Sequence, residues 1–292
     1  MDENVAFEAF LYGNGGESIT NDLEFWADRV IMFPSLRPFQ LDKAVRVCVE
    51  YYKFQGFLLR LLEKSEKCPV LIYRLYQRDI FVFSEIEPIL LRINSLVFSY
   101  YFRKEINDFD SYILSQRKQP DTDASFFEKE NDIDQLIEYG FVPSTIEFCM
   151  KYDDYEALMN YDISMHKYAK WSPFEWSCKP KYLDLLSFSG FFGSIKCFKH
   201  IMMNGFQINS DVMSSVVCSG SLDLIHLCEN NLFLTPECAF HASEFCHLSL
   251  LCFMLENGIE INSRDIFILI CVLIYLPFIG PLRRVISALL NI

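Results

Sequence analysis

Between residues 41 and 118 the apolar positions recur at helical spacing. Leu41, Val45, Cys48, Val49 and Tyr52 fall on one face, and Leu58, Leu59 and Leu62 continue it. Asp42, Lys43, Arg46, Glu50 and Lys53 take the opposite face. Pro69 separates this run from a second apolar segment over 70–83. Pro88 stands where a third helix would begin, with Leu91, Val97, Phe98 and Tyr101 on its stripe. No Asn-Gly turn between alternating runs announces a hairpin here. The pattern predicts three or four helices packed on helices in a domain spanning 41–118. Ahead of it, residues 1–40 read as an irregular arm punctuated by Gly13, Gly15, Gly16, Pro34 and Pro38. Residues 119–130 read as a linker.

The most informative pattern lies between 131 and 265. Three segments superimpose. The first runs from Phe188 through Gly193 to Asn204-Gly205, the second from Ser215 through Gly220 to Asn230-Asn231, and the third from His241 through Cys246 to Asn257-Gly258. Gly193, Gly220 and Cys246 are 27 and 26 residues apart, a period that marks stacked structural units. Gly193 and Gly220 separate two short apolar runs, where a tight turn suits a residue without Cβ. Gly205 and Gly258 each follow an Asn and close the second run, as at a left-handed helix end. Thr235-Pro236-Glu237 supplies a cap, a first-turn proline and a first-turn acid. Each unit is therefore a helix pair, too small to bury both faces unless neighbours stack.

These residues resemble ankyrin repeats. The likeness rests on the small-residue-x-x-Gly turn, the twelve-residue second helix, and the closing segments Asn204-Gly205-Phe206-Gln207-Ile208-Asn209 and Asn257-Gly258-Ile259-Glu260-Ile261-Asn262. The stretch from Phe191 to Lys199, with Phe174-Glu175-Trp176 before it, is similar to a divergent ankyrin-type domain of unknown function expanded in protists. Two degenerate earlier units fit at 131–140 and 148–159. The family's Thr-Pro-Leu-His start is replaced by Asp184-Leu185-Leu186-Ser187, so its histidine network between repeats should be missing. The period is also shorter than the family's, about 33 residues. The resemblance implies an all-α chain: an N-terminal helical domain followed by a short ankyrin-like helix-pair solenoid. It also implies protein recognition through the concave face, at Phe191, Phe192, Cys218, Ser219, Glu244 and Phe245, with exposed aromatics as anchors. The same phenylalanines would serve equally as core.

From Ile266 to Leu282 no charged residue occurs, and Arg283 and Arg284 follow. This apolar C-terminal tail, 266–292, is at the short edge of what spans a bilayer. It reads as a membrane anchor, as a cover for the open end of the helix pairs, or as an aberrant gene end.

Charge removes one class of function. Twenty-six basic residues face 39 acidic ones, a net of −13, and no basic surface suited to nucleic acid is visible. From Asp121 to Glu156 there are eleven Asp or Glu against two Lys, which reads as a solvated face or as a docking surface for a basic partner. The start of the chain is not followed by an apolar run and no Asn-x-Ser/Thr sequon occurs. With eleven cysteines, an odd number, this predicts reduced, buried thiols and a cytoplasmic location.

Chemical motifs are sparse. Gly13 to Ser18 lacks the Gly-Lys-Ser/Thr ending of a phosphate loop. Cys238, His241, Cys246 and His247 do not have zinc-ligand spacing, since two of them are adjacent. His166, His200, His226, His241 and His247 stand outside any nucleophile motif. The sequence thus predicts a non-catalytic scaffold for a protein partner, without cofactor or metal. The rival readings are an adaptor tethered to a membrane by its tail and an enzyme with a site in 41–118.

Overall fold

The computed structural model describes residues 41–51, 55–93, 95–116, 130–175, 184–229, 233–245 and 247–259, together with 27, 30 and 31. Among them are fifteen α-helices and no strand. The chain is all-helical, as its periodicity requires. The linker short of Glu130, the tail from 266 on, and most of the N-terminal arm lie outside the described residues. Within that arm, Ala27, Val30 and Ile31 are helical and buried, so the irregular reading fails at these positions. Their spacing is that of one helix face.

Two compact units divide the chain. One holds 19–149 and 170–179, the other 150–169 and the helices from 185 onward. In the first, the helices are α1 (Leu41–Tyr51), α2 (Gln55–Glu63), α3 (Pro69–Tyr76), α4 (Phe83–Ile93), α5 (Leu96–Tyr101), α6 (Phe109–Gln116) and α7 (Glu130–Tyr139). There are six helices over 41–116, more and shorter than the three or four expected. The expected apolar stripe of α1 is real, since Leu41, Val45 and Cys48 are buried. The second predicted segment stops early because Asp79 takes a left-handed conformation, φ 57°, and Ile80 N–H bonds back to Leu75 C=O. Asp tolerates that conformation better than most side chains, but it is a weaker stop signal than Gly.

Pro88 does not begin a helix. It sits inside α4. Its absent N–H would have met the carbonyl of Ser84, and both residues are exposed, so water can serve that carbonyl. The start of α4 is fixed instead by Glu85, whose carboxylate accepts the Val82 N–H at 3.0 Å. Pro69 does occupy the first turn of α3, as expected. Both α1 and α5 pack on α3. Aromatic rings then converge on Phe102: Tyr73, Tyr76 and Phe98 meet it edge-on at 5.4–5.7 Å, and Phe83 lies at 6.2 Å.

From Ile146 onward, eight helices follow as pairs. These are α8 (Ile146–Lys151) with α9 (Tyr155–Leu158), α10 (Leu185–Phe191) with α11 (Ile195–Met203), α12 (Ser210–Ser219) with α13 (Leu222–Glu229), and α14 (Pro236–Glu244) with α15 (Leu248–Glu256). The first helix of each of the last three pairs packs on its own second helix. In addition α10 packs on α12, α12 packs on α14, and α9 packs on α11.

The same local devices recur along the described pairs. Thr145, Asp184, Asn209 and Thr235 cap the four leading helices, each accepting an N–H two or three residues on. Asp184 also accepts the Ser187 hydroxyl at 2.9 Å, so the Asp-x-x-Ser start supplies its own cap. Gly193 and Gly220 stand at φ 71° and 70° between the paired helices. After α11 and α15 the side-chain amides of Asn204 and Asn257 each donate to the carbonyl four residues back, at 2.9 and 2.8 Å. In the α8–α9 pair, Asp153 fills the turn position at φ 54°. Its carboxylate then accepts the Cys197 N–H at 2.9 Å and the Lys196 N–H at 3.3 Å, at the start of α11.

Candidate functional site

The six residues expected to form a recognition face lie where the paired helices turn. Phe191, Cys218 and Glu244 occupy equivalent places in successive pairs. Their environments diverge: Phe191 is 1% exposed, Cys218 is 6%, and the Glu244 side chain is 44%. Phe192 and Phe245 are buried too, and Ser219 is half-buried. The six therefore do not form an exposed aromatic face.

The reason is in the packing of the turns. Phe191 meets Phe192 edge-on at 5.2 Å and Phe245 at 5.8 Å, and Phe188 lies 5.0 Å from Phe192. The Ser219-Gly220 turn is small enough for the last pair to reach back over it. Where Gly220 would carry a Cβ, the His247 ring already sits. His247 Nε2 bonds the Cys218 carbonyl at 2.7 Å. A histidine link between units therefore exists, from a position other than the one the missing family motif would have used. Two pairs earlier, the Ser194 hydroxyl donates to the Met150 carbonyl in the same manner. Lys151, buried at the end of α8, directs its ammonium over the rings of Tyr152 and Phe192, 5.3 and 5.9 Å from their centres.

The acidic stretch also has internal work. Asp134 pairs with Arg103 at 3.0 Å and Lys104 at 3.3 Å, and Glu138 pairs with Arg74 at 2.9 Å. Glu147 accepts the Lys170 N–H at 2.8 Å, and Asp154 caps α9 through the Ala157 N–H at 3.0 Å. These acids serve as caps and ion-pair partners within the chain, and Asp134, Glu138 and Asp154 remain exposed, in keeping with a solvated face. Asp121, Asp123 and Glu128 lie outside the described residues.

Burial governs the thiols. The Cys68 and Cys228 thiols are each pushed up to about 12 by desolvation, and Cys48 is raised further for the same first reason. A thiol held protonated is a poor nucleophile. Tyr101 in the first unit is likewise raised by burial, and its hydroxyl reaches the Phe174 carbonyl at 3.4 Å. Phe174 and Glu175 are themselves buried.

Of the histidine–cysteine set, Cys238 Sγ accepts the Thr235 hydroxyl, His241 Nδ1 lies 3.4 Å from Glu244, and His247 is committed to Cys218. Cys246 is outside the described residues. Among those described, no group of three His, Cys, Asp or Glu side chains could hold a metal ion. No described helix is long and apolar enough to cross a membrane. The segment from Ile266 to Leu282 lies outside the described residues.

Other apolar side chains of the helix-pair region do face solvent: Met165, Tyr168, Leu222 and Phe253 among them, and three that end or follow second helices. Met159 follows α9, Met203 ends α11 and Phe233 follows α13. Met203 is 82% exposed and Phe233 88%. All three stand at the closing ends of successive pairs, opposite in each pair to the turns considered above. Periodicity alone did not reveal them, because residues at a closing turn belong to no helix face. No known protein family, curated protein or solved structure matches the chain.

Proposed function

We propose that this chain is a non-catalytic interaction scaffold, built on a short solenoid of ankyrin-like helix pairs. Its partner is a protein that buries Met159, Met203 and Phe233 along the closing edge of the pairs. The observation that carries this reading is the exposure of large apolar side chains at the same end of three successive pairs. Neighbouring helices pack about 8–10 Å apart, so such side chains recur within one partner's footprint. Flexible methionines beside an aromatic ring suit a binding surface that adapts to its ligand. Around that edge, α14 offers Glu237, Phe240, His241 and Glu244 on one helix face, which favours a partner with basic residues at its rim. The ankyrin-like character rests on the serial packing of α10, α12 and α14 and on the glycine turns at 193 and 220.

The test uses two exposed positions whose loss leaves the core untouched. Affinity purification with the Met203→Ser/Phe233→Ser double variant should lose a partner that the wild-type chain retains. The melting curve should not change, since exposed substitutions typically stay within about 0.5 kcal/mol. An identical set of bound proteins from both chains, at equal stability, overturns the proposal.

A further inference from the structure

In the first unit, α4 turns an ordered face to solvent. Ile86 and Leu90 are buried on one side of it, while Ser84, Glu87, Pro88, Leu91 and Arg92 are exposed on the other. Ser84, Pro88 and Leu91 are spaced by four and then three residues, so they form one narrow stripe. Leu91 on that stripe is 63% exposed. Beside it α2 packs on α4, and Arg92 Nη2 donates to the Glu63 carbonyl at 3.2 Å. Leu59 stands one turn before Glu63 on α2 and is 56% exposed. A lone exposed leucine is ordinary, but two on neighbouring helices beside an exposed proline form a patch.

Charge says what covers the patch. The chain carries a net of −13, so two copies repel one another on average. Around this stripe the signs are instead balanced. Glu87 flanks it on one side and Arg92 on the other, and Arg60 pairs with Glu63 at 2.7 Å beside Leu59. In heptad terms Pro88 and Leu91 take the inward positions a and d, with Glu87 before them at g and Arg92 after them at e. When two such helices run parallel about a two-fold axis, each g residue faces the following e residue of the other helix. Glu87 of each copy then meets Arg92 of the other, twice over, while Leu91 packs on its own counterpart. An antiparallel pair would set Glu87 beside Glu87, so the charges also select the direction.

We infer that α4, flanked by Leu59 of α2, is the contact through which a second copy of this chain docks in a parallel two-fold pair. The pairing stands whether or not the closing edge of the helix pairs binds a partner.

Sedimentation equilibrium of the full-length chain tests it. At about 100 µM the wild type should have twice the mass of one chain. Glu87→Arg and Arg92→Glu should each weaken self-association about tenfold or more, since each places like charges across both contacts. An equimolar mixture of the two variants should pair again, because opposite charges then meet at both contacts. Arg92→Glu also loses the bond to Glu63, and a defect of that kind is not repaired by mixing. Leu91→Ser should abolish pairing with an unchanged melting temperature. A monomeric wild type at that concentration, a dimer that ignores the reversals, or a mixture that stays monomeric overturns the inference.

Discussion

The two regions of this molecule solve the same problem differently. In the first unit, α3, α4 and α5 set four aromatic neighbours around one ring, Phe102. The helix pairs after Ile146 rely on repetition. They reuse a short set of devices: a side-chain cap on each leading helix, a left-handed turn residue at 153, 193 and 220, and, from Ser194 and His247, a hydrogen bond to the previous pair. A hub concentrates stability in one side chain, whereas repetition spreads it over many equivalent positions. Damage should therefore differ in kind between the two regions.

The largest effect is expected at the hub. Phe102→Ala removes a fully buried ring and should cost about 3–5 kcal/mol, read from urea unfolding, with exchange protection lost in α3, α4 and α5. A cost under about 1 kcal/mol would mean that the surrounding rings close the gap and that no hub exists.

Among the helix pairs, Gly220→Ala should cost about 2–4 kcal/mol, combining a left-handed φ with displacement of the His247 ring. Gly258→Ala shares the left-handed φ but meets nothing within 4 Å, so it should cost only about 1 kcal/mol. Adding His247→Ala to the Gly220 variant should recover part of its loss. Equal costs at the two glycines would show that backbone conformation alone matters and that the link between pairs is incidental. Asn209→Ala, which deletes the cap of α12, should cost about 1 kcal/mol.

A smaller effect should be common to both regions. Cys68 lies in the first and Cys228 in the second, and both thiols are raised from 9.0 to about 12 by burial. Below pH 9 both folded and unfolded chains hold these protons, so stability is flat. Above it the unfolded chain loses them first, and stability should fall steadily as pH rises toward 12. Urea midpoints at about pH 8 and about pH 11 check the sign, after correction with a Cys228→Ala variant. A midpoint that rises with pH would contradict the burial of these thiols.

How far the sequence could be read follows the same division. Repetition made α10 to α15 legible, because three noisy copies of one pattern fix turns that a single copy leaves open. Gly193, Gly205, Gly220 and Gly258 all stand at positive φ where the pattern put them. The first unit was legible as helical, but its breaks were not. Asp79 and Asp108 take left-handed turns there, as Asp153 does between α8 and α9, and aspartate is common enough elsewhere to carry little signal. Pro88 misled because a proline tolerated in an exposed first turn and a half resembles one that starts a helix. The exposure expected of the aromatic recognition residues failed for a different reason. Sequence equivalence put Phe191, Cys218 and Glu244 in one row, but it does not encode how much of that row neighbouring turns cover. Only packing shows that Phe245 reaches back to Phe191 across a small middle turn.

The ties between neighbouring pairs have a consequence for how the chain is made. His247 reaches back 29 residues to Cys218, and Ser194 reaches back 44 to Met150. Each pair can thus dock on its predecessor soon after it leaves the ribosome, without waiting for distant sequence. Synthesis would extend a growing edge, and the exposed flank at any moment would be no wider than a single unit.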